Sequence, residues 1–158
     1  MTKRIHHSAP QSPRLPGVSG LCYAAGIFDG EGCICISKNR AAKSSGGYNY
    51  RLRVTVSQNH LDTLIDFQNF VGIPGYLYPI RRSLNQNRDA FQLIFDGDKA
   101  AKLLEMLQPY LLRKAPEAAV ALQYQRTCDV NVRAGRAGFS AAVWALRESF
   151  CAKLRRMK

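Results

Sequence analysis

The sequence predicts an α+β fold whose elements run α-β-β-α-β-β-α, with further helices toward the C-terminus. Three observations carry this. Residues 24–32, Ala-Ala-Gly-Ile-Phe-Asp-Gly-Glu-Gly, begin as a helix of small residues and end in a glycine turn holding two carboxylates, and an apolar strand follows at once. Residues 49–57 alternate: Tyr50, Leu52, Val54 and Val56 are apolar, while Asn49, Arg51, Arg53, Thr55 and Ser57 are polar. That is the period of a strand with one buried face. The intervening segments have helical periodicity and are closed by glycine or proline. A chain of 158 residues is sized for one domain with a real core.

Each element has its own warrant. Residues 1–18 hold three prolines, the His6-His7 pair and several Ser, Gln and Arg residues. They are expected to form a disordered basic lead-in to a single domain over 19–158. The histidine pair reads as solvated rather than metal-bound. Ser19 is expected to cap the first helix, which runs through Leu21, Ala24, Ala25, Ile27 and Phe28. A strand follows to about Arg40, then a solvated loop over Ala41–Gly47. The alternating strand leads into a helix over His60–Val71, with Leu61, Leu64, Ile65, Gln68 and Phe70 near one side. A third strand covers Tyr76–Arg82. A polar hairpin, Ser83–Asp89, joins it to a fourth, where Phe91, Leu93 and Phe95 alternate with Ala90, Gln92 and Ile94. Asp96 or Asp98 is expected to cap a third helix carrying Leu103, Leu104, Met106 and Leu107. Pro116 suits the first turn of a fourth helix ending near Thr127. Ser140 caps a last helix with a basic end, Lys153 to Lys158.

Composition narrows the function. Lys and Arg total 23 against 11 Asp and Glu, a formal net charge of +12 and a pI near 9.9. Such an excess suits a polyanion partner rather than a small metabolite. No apolar run approaches the ~18 residues of a membrane span, and no secretory signal is visible. The five cysteines form no CxxC pair. They are expected to be reduced, mostly buried thiols, with neither structural zinc nor a disulfide framework.

Residues 25–32 resemble the motif of the LAGLIDADG homing endonucleases. They follow its pattern of Ala-Gly, two hydrophobic residues, then Asp-Gly-(Asp/Glu)-Gly. Ala24 stands where leucine is common, which changes only a core contact. The resemblance implies an αββαββα fold with a saddle-shaped antiparallel sheet. It also implies that the motif helix packs against its equivalent, with Ala25, Gly26, Asp29 and Gly30 at the contact. Gly26 and Gly30 are four apart and share a helical face, so two backbones can approach closely there.

The same resemblance places Glu31 at the metal-binding position beside Gly30, and puts Asp29 at a structural position near the helix end. Gln58 matches a glutamine that orders active-site solvent. Lys114 matches a lysine beside the scissile phosphates, with Arg113 next to it. The implied cofactor is Mg²⁺ or Mn²⁺, with Ca²⁺ supporting binding but little cleavage. One motif gives half a site, so a homodimer on a roughly palindromic double-stranded DNA target is expected. Asp96-Gly97-Asp98 echoes the motif only in part, with no small-residue helix before it.

The outward strand residues are expected to read bases. Arg51 and Arg53 suit guanine, while Asn49 and Gln92 suit adenine. Ser37, Asn39, Arg40, Thr55, Tyr78, Arg82, Asn85, Asn87 and Arg88 are further candidates. Lys43, Lys153, Arg155, Arg156 and Lys158 are expected on phosphates, which give affinity without sequence information. The leading expectation is therefore a DNA endonuclease acting in the cytoplasm, an organelle or a phage-host nucleoid, with no membrane or small-molecule partner. The alternatives are an RNA maturase or non-cleaving DNA-binding protein of the same fold, and a ribosome-type RNA binder.

Overall fold

The computed structural model describes residues 17–40, 48–80, 89–130 and 140–158. Its elements are α1 (Val18–Glu31), β1 (Gly32–Arg40), β2 (Tyr48–Gln58), α2 (Leu61–Val71), β3 (Tyr76–Ile80) and β4 (Ala90–Asp96). They continue with α3 (Asp98–Leu107), a 3₁₀ turn (Gln108–Tyr110), α4 (Ala115–Val130) and α5 (Ala141–Arg156). The expected α+β class and element order hold. The N-terminal lead-in to residue 16, the loop carrying Lys43 and the hairpin carrying Arg82, Asn85, Asn87 and Arg88 lie outside the described residues.

The strands form one antiparallel sheet in the order β1-β2-β4-β3. Alternation fixes its two faces. Ile34, Ile36, Leu52, Val54, Val56, Leu93 and Phe95 are buried beneath the helices. The opposite face carries Cys33, Cys35, Ser37, Arg51, Arg53, Thr55, Gln92 and Asp96, all half-buried or exposed, with no described helix covering them. One face is therefore a core and the other a polar platform.

The helices close the core from one side. Leu64, Phe67 and Val71 are the buried residues of α2, while Leu61, Ile65, Gln68 and Phe70 are only half-buried. Phe67, whose ring meets that of Phe95 at a tilt with centroids 6.3 Å apart, is thus a main anchor that the sequence pattern passed over. Tyr124 of α4 is fully buried against Phe150 of α5. The α5 helix covers the outer end of the sheet, where Trp144 meets Tyr50 and Glu148 pairs with Lys38 and accepts from the Tyr50 hydroxyl. Ser140 caps α5 as expected, its Oγ accepting from Val143 N at 3.4 Å.

Three local expectations are corrected. Helix α1 starts one residue before Ser19, with Gly17 at its N-cap, so Ser19 lies inside the helix. Gly97, with φ 58, is the N-cap of α3; Asp98 is already helical, and Asp96 is the last residue of β4. That left-handed conformation suits glycine better than aspartate. All five thiols are free, but only Cys151 is buried, because Cys33 and Cys35 point to the open sheet face and Cys22 to the outside of α1. No helix among the described residues is long and apolar enough to cross a membrane.

Candidate active site

Helix α1 has two distinct faces. Gly20, Ala24, Ala25 and Phe28 are buried against the chain's own core. Ser19, Cys22, Tyr23, Gly26 and Gly30 form an exposed stripe at helical spacing. A Cβ built on Gly26 or Gly30 would meet nothing within 4 Å. Nothing among the described residues requires small residues there. At Gly32 the reverse holds: a Cβ would collide with the Phe28 ring and carbonyl, so glycine lets the helix pass straight into β1.

Two of the four residues expected at a helix contact are placed elsewhere. Ala25 is 0% exposed inside the chain's own core. The Asp29 carboxylate faces the segment leading into α4. It accepts from Leu112 N (2.7 Å), Arg113 N (3.2 Å) and Lys114 N (2.9 Å). Burial alone would raise its pKa, but these amides outweigh that and hold it below the ordinary carboxylate value.

The same junction positions Lys114. Its Nζ donates to the Asp29 carbonyl at 2.5 Å, and Arg113 Nη1 donates to that oxygen at 3.1 Å. Lys114 is only 4% exposed. Burial lowers its pKa, and the Arg113 cation adds to this against the opposing pull of Glu117 and Asp29. Asp29 thus ties the foot of α1 to the one lysine among the described residues that is buried.

Glu31 closes α1 and is exposed, and its carboxylate has no partner among the described residues. Gln58 lies two residues beyond Val56, the register partner of Gly32, and so at the same end of the sheet. Its Oε1 accepts from Asn59 N at 2.9 Å. The structure therefore gathers Glu31, Gln58 and Lys114 at one end of the platform.

A cleft of about 150 Å³ opens there, lined by Gly32, Cys33, Ile34, Arg113, Lys114, Glu117 and Lys158. Sequence reading missed Glu117. It is 8% exposed, and its Oε2 has no hydrogen-bond partner among the described residues. In the sequence it looks like an ordinary acid in the first turn of a helix, where the dipole favours it. Cys33 was missed as well. A hydrogen bond from Cys35 draws its pKa down to about 5, aided by Lys158, whose Nζ is 3.0 Å from its sulfur, and opposed by burial.

On the platform, Asn39, Asn49 and Arg51 are exposed, and Thr55 and Tyr78 are half-buried. Ser37 Oγ donates to the Arg51 carbonyl at 3.2 Å, and Gln92 Nε2 donates to Ser57 Oγ at 3.1 Å. Arg53 is held by Asp96 through Nε–Oδ1 at 2.7 Å and Nη2–Oδ2 at 2.9 Å. Arg40 departs from expectation: it follows Ile34, Ile36 and Lys38 in alternation, which is the register of the helix-covered face.

No cluster of three or more His, Cys, Asp or Glu side chains is present among the described residues. Glu31 is an uncommitted hard oxygen donor with the Gly30 carbonyl adjacent. That donor set fits a cation that keeps much of its water and takes further oxygens from phosphate or a second carboxylate, as Mg²⁺ does.

Residues 24–130 match the family model described as LAGLIDADG endonuclease. No curated protein is a significant match. Solved structures of similar fold include the homing endonuclease I-CvuI in complex with its target. It has a TM-score of 0.67 and 24% identity over 87% of this chain and 81% of that one. One I-CvuI complex contains calcium; another, on the I-CreI target with magnesium, holds DNA that is not cleaved. The archaeal intron-encoded homing endonuclease I-Vdi141I, complexed with DNA, has a TM-score of 0.67 and 13% identity over 87% of this chain and 83% of that one. The homing endonuclease I-TnaI has a TM-score of 0.65 and 16% identity over 87% and 94% respectively. At these identities the likeness is one of fold.

Proposed function

The chain belongs to the LAGLIDADG endonuclease family, and from that premise we propose that it is a homing endonuclease that cuts double-stranded DNA as a homodimer. One observation carries the reading. The Glu31 carboxylate stands exposed and without a partner among the described residues, at the foot of a helix whose outer stripe is lined by Gly26 and Gly30, with the buried Lys114 beside the following Gly32. A second copy crossing along that stripe would bring its own Glu31 alongside, on a twofold axis that favours a roughly palindromic target. Val18, Tyr23 and Leu112 are large apolar residues left exposed around this helix, and such a contact would cover them.

The chain's own residues then have defined tasks. Glu31 and the Gly30 carbonyl would hold Mg²⁺ or Mn²⁺, which supplies Lewis acidity at the scissile phosphate and lowers the pKa of water. Lys114, fixed by Asp29, presents a cation to the charge that develops on the phosphate. Gln58 offers an amide to orient the attacking water. The platform above them places the duplex, as a two-stranded ribbon does in a major groove.

The test is a randomised duplex library incubated with Mg²⁺ and either the intact chain or Glu31→Gln. Double-strand cuts by the first alone are expected, with both proteins still binding DNA. Ca²⁺ in place of Mg²⁺ should keep binding and suppress cutting. Equal cutting by both proteins would remove Glu31 from the chemistry and overturn the reading.

A further inference from the structure

The geometry points to Asp96 as a specificity-determining residue: it holds Arg53 with one guanidinium edge free to read a guanine, and so sets sequence preference without touching a base. This rests on the reading of the open sheet face as the DNA-reading surface. Asp96 is the single carboxylate among the described residues of the four strands. On a face that meets phosphates, a carboxylate opposes binding. Its place there calls for a compensating role.

The hydrogen bonds supply one. Asp96 faces Arg53 directly in the β2–β4 register. It takes the Nε–H and one Nη2–H, leaving both Nη1 protons and the outer Nη2 proton without a partner among the described residues. The outer Nη2 proton and one Nη1 proton lie on the end of the fork, the edge that matches guanine O6 and N7. The bidentate pair fixes the plane of the fork as well as its position. Arg53 side-chain exposure is 36% against 16% for Asp96, so the acid is set back and the fork is reachable. Arg51, two residues earlier, is exposed, and its guanidinium has no partner among the described residues. A fork without such a support suits phosphate as well as guanine.

Selection from randomised duplexes in Ca²⁺, where binding is read without cutting, tests this with the intact chain, Asp96→Asn, Asp96→Ala and Arg51→Ala. The intact chain should return a motif with guanine at one symmetry-related pair of positions. Both Asp96 variants should keep or gain affinity for arbitrary DNA, while guanine preference at that pair falls roughly ten-fold. Arg51→Ala should weaken all sequences alike. Asp96→Asn keeps the side-chain shape but turns an amide toward Nη2, so it serves even where Ala lowers the melting temperature. An unchanged motif in Asp96→Asn overturns this inference alone. A uniform loss of affinity over every sequence also overturns it, since that marks a structural role. If the intact chain selects no motif, the homing reading falls as well; if it selects one but never cuts, only the nuclease reading falls.

Discussion

Asp29 and Glu31 belong to one turn but have opposite environments. Glu31 has no partner among the described residues, whereas Asp29 accepts three backbone N–H groups from residues 112–114. Asp29→Asn should therefore destabilise the fold by about 1–2 kcal/mol at neutral pH, the scale of removing a charged cap. The folded-state pKa of Asp29 is lowered, so its contribution is full above the unfolded value near pH 4, begins to fade below it, and is lost as pH falls through the lower folded-state value. Urea titrations at pH 7 and pH 3 should show the gap between native and Asn chains closing, and a constant gap would refute the assignment. Lys114→Gln tests the other end of the junction. Cleavage should fall about a hundred-fold, with DNA affinity changed far less, measured in single-turnover assays. The motif that carries Glu31 was legible because it is local. Asp29's partners were not, for they lie 83 to 85 positions away. Nor was the Arg53–Asp96 pair, because nothing in the chain order says that β2 neighbours β4.

At the level of elements, alternation located β2 and β4, and apolar periodicity located the helices, because both patterns reflect which face meets a core. Helix ends were read less well: Gly97 took a place expected for an aspartate, since a left-handed backbone outweighs a side-chain cap there. Helix α1 gives the sharpest prediction. Its Gly26 is solvent-exposed, with open space where a Cβ would stand. Within one chain Gly26→Ala should therefore stabilise the helix by up to about 1 kcal/mol. Across the proposed contact the same methyl would keep two backbones apart. Urea unfolding of dilute protein should show the gain, while sedimentation shows the dimer dissociating at higher concentration than the native chain. Gly26→Leu should leave only folded monomer. Dimers of native affinity in both variants would exclude this stripe as the contact.

For the molecule as a whole, charge and topology combine. The net charge of +12 is a property of the sequence, but its use depends on where the fold leaves it. The helices cover one side of the sheet, so the other side can lie along a duplex with Arg51 and Arg53 outward. At the end of α5, Lys153, Arg155 and Arg156 are exposed, a group suited to phosphates rather than bases. A homodimer doubles both sets on one axis. If such a pair neutralises roughly six to ten phosphates, affinity should fall by about 10³ to 10⁵ between 50 and 200 mM salt. Filter binding or fluorescence anisotropy with Ca²⁺ held constant would give the slope. Replacing Arg155 and Arg156 by Gln should make that slope shallower by about one unit for each phosphate no longer neutralised, and leave the selected motif unchanged. The Asp96 variants should behave in the opposite manner, altering the motif with little effect on the slope. A double replacement in α5 that altered the motif would mean this end of the chain reads bases, and the division of labour between sheet and helix would fail.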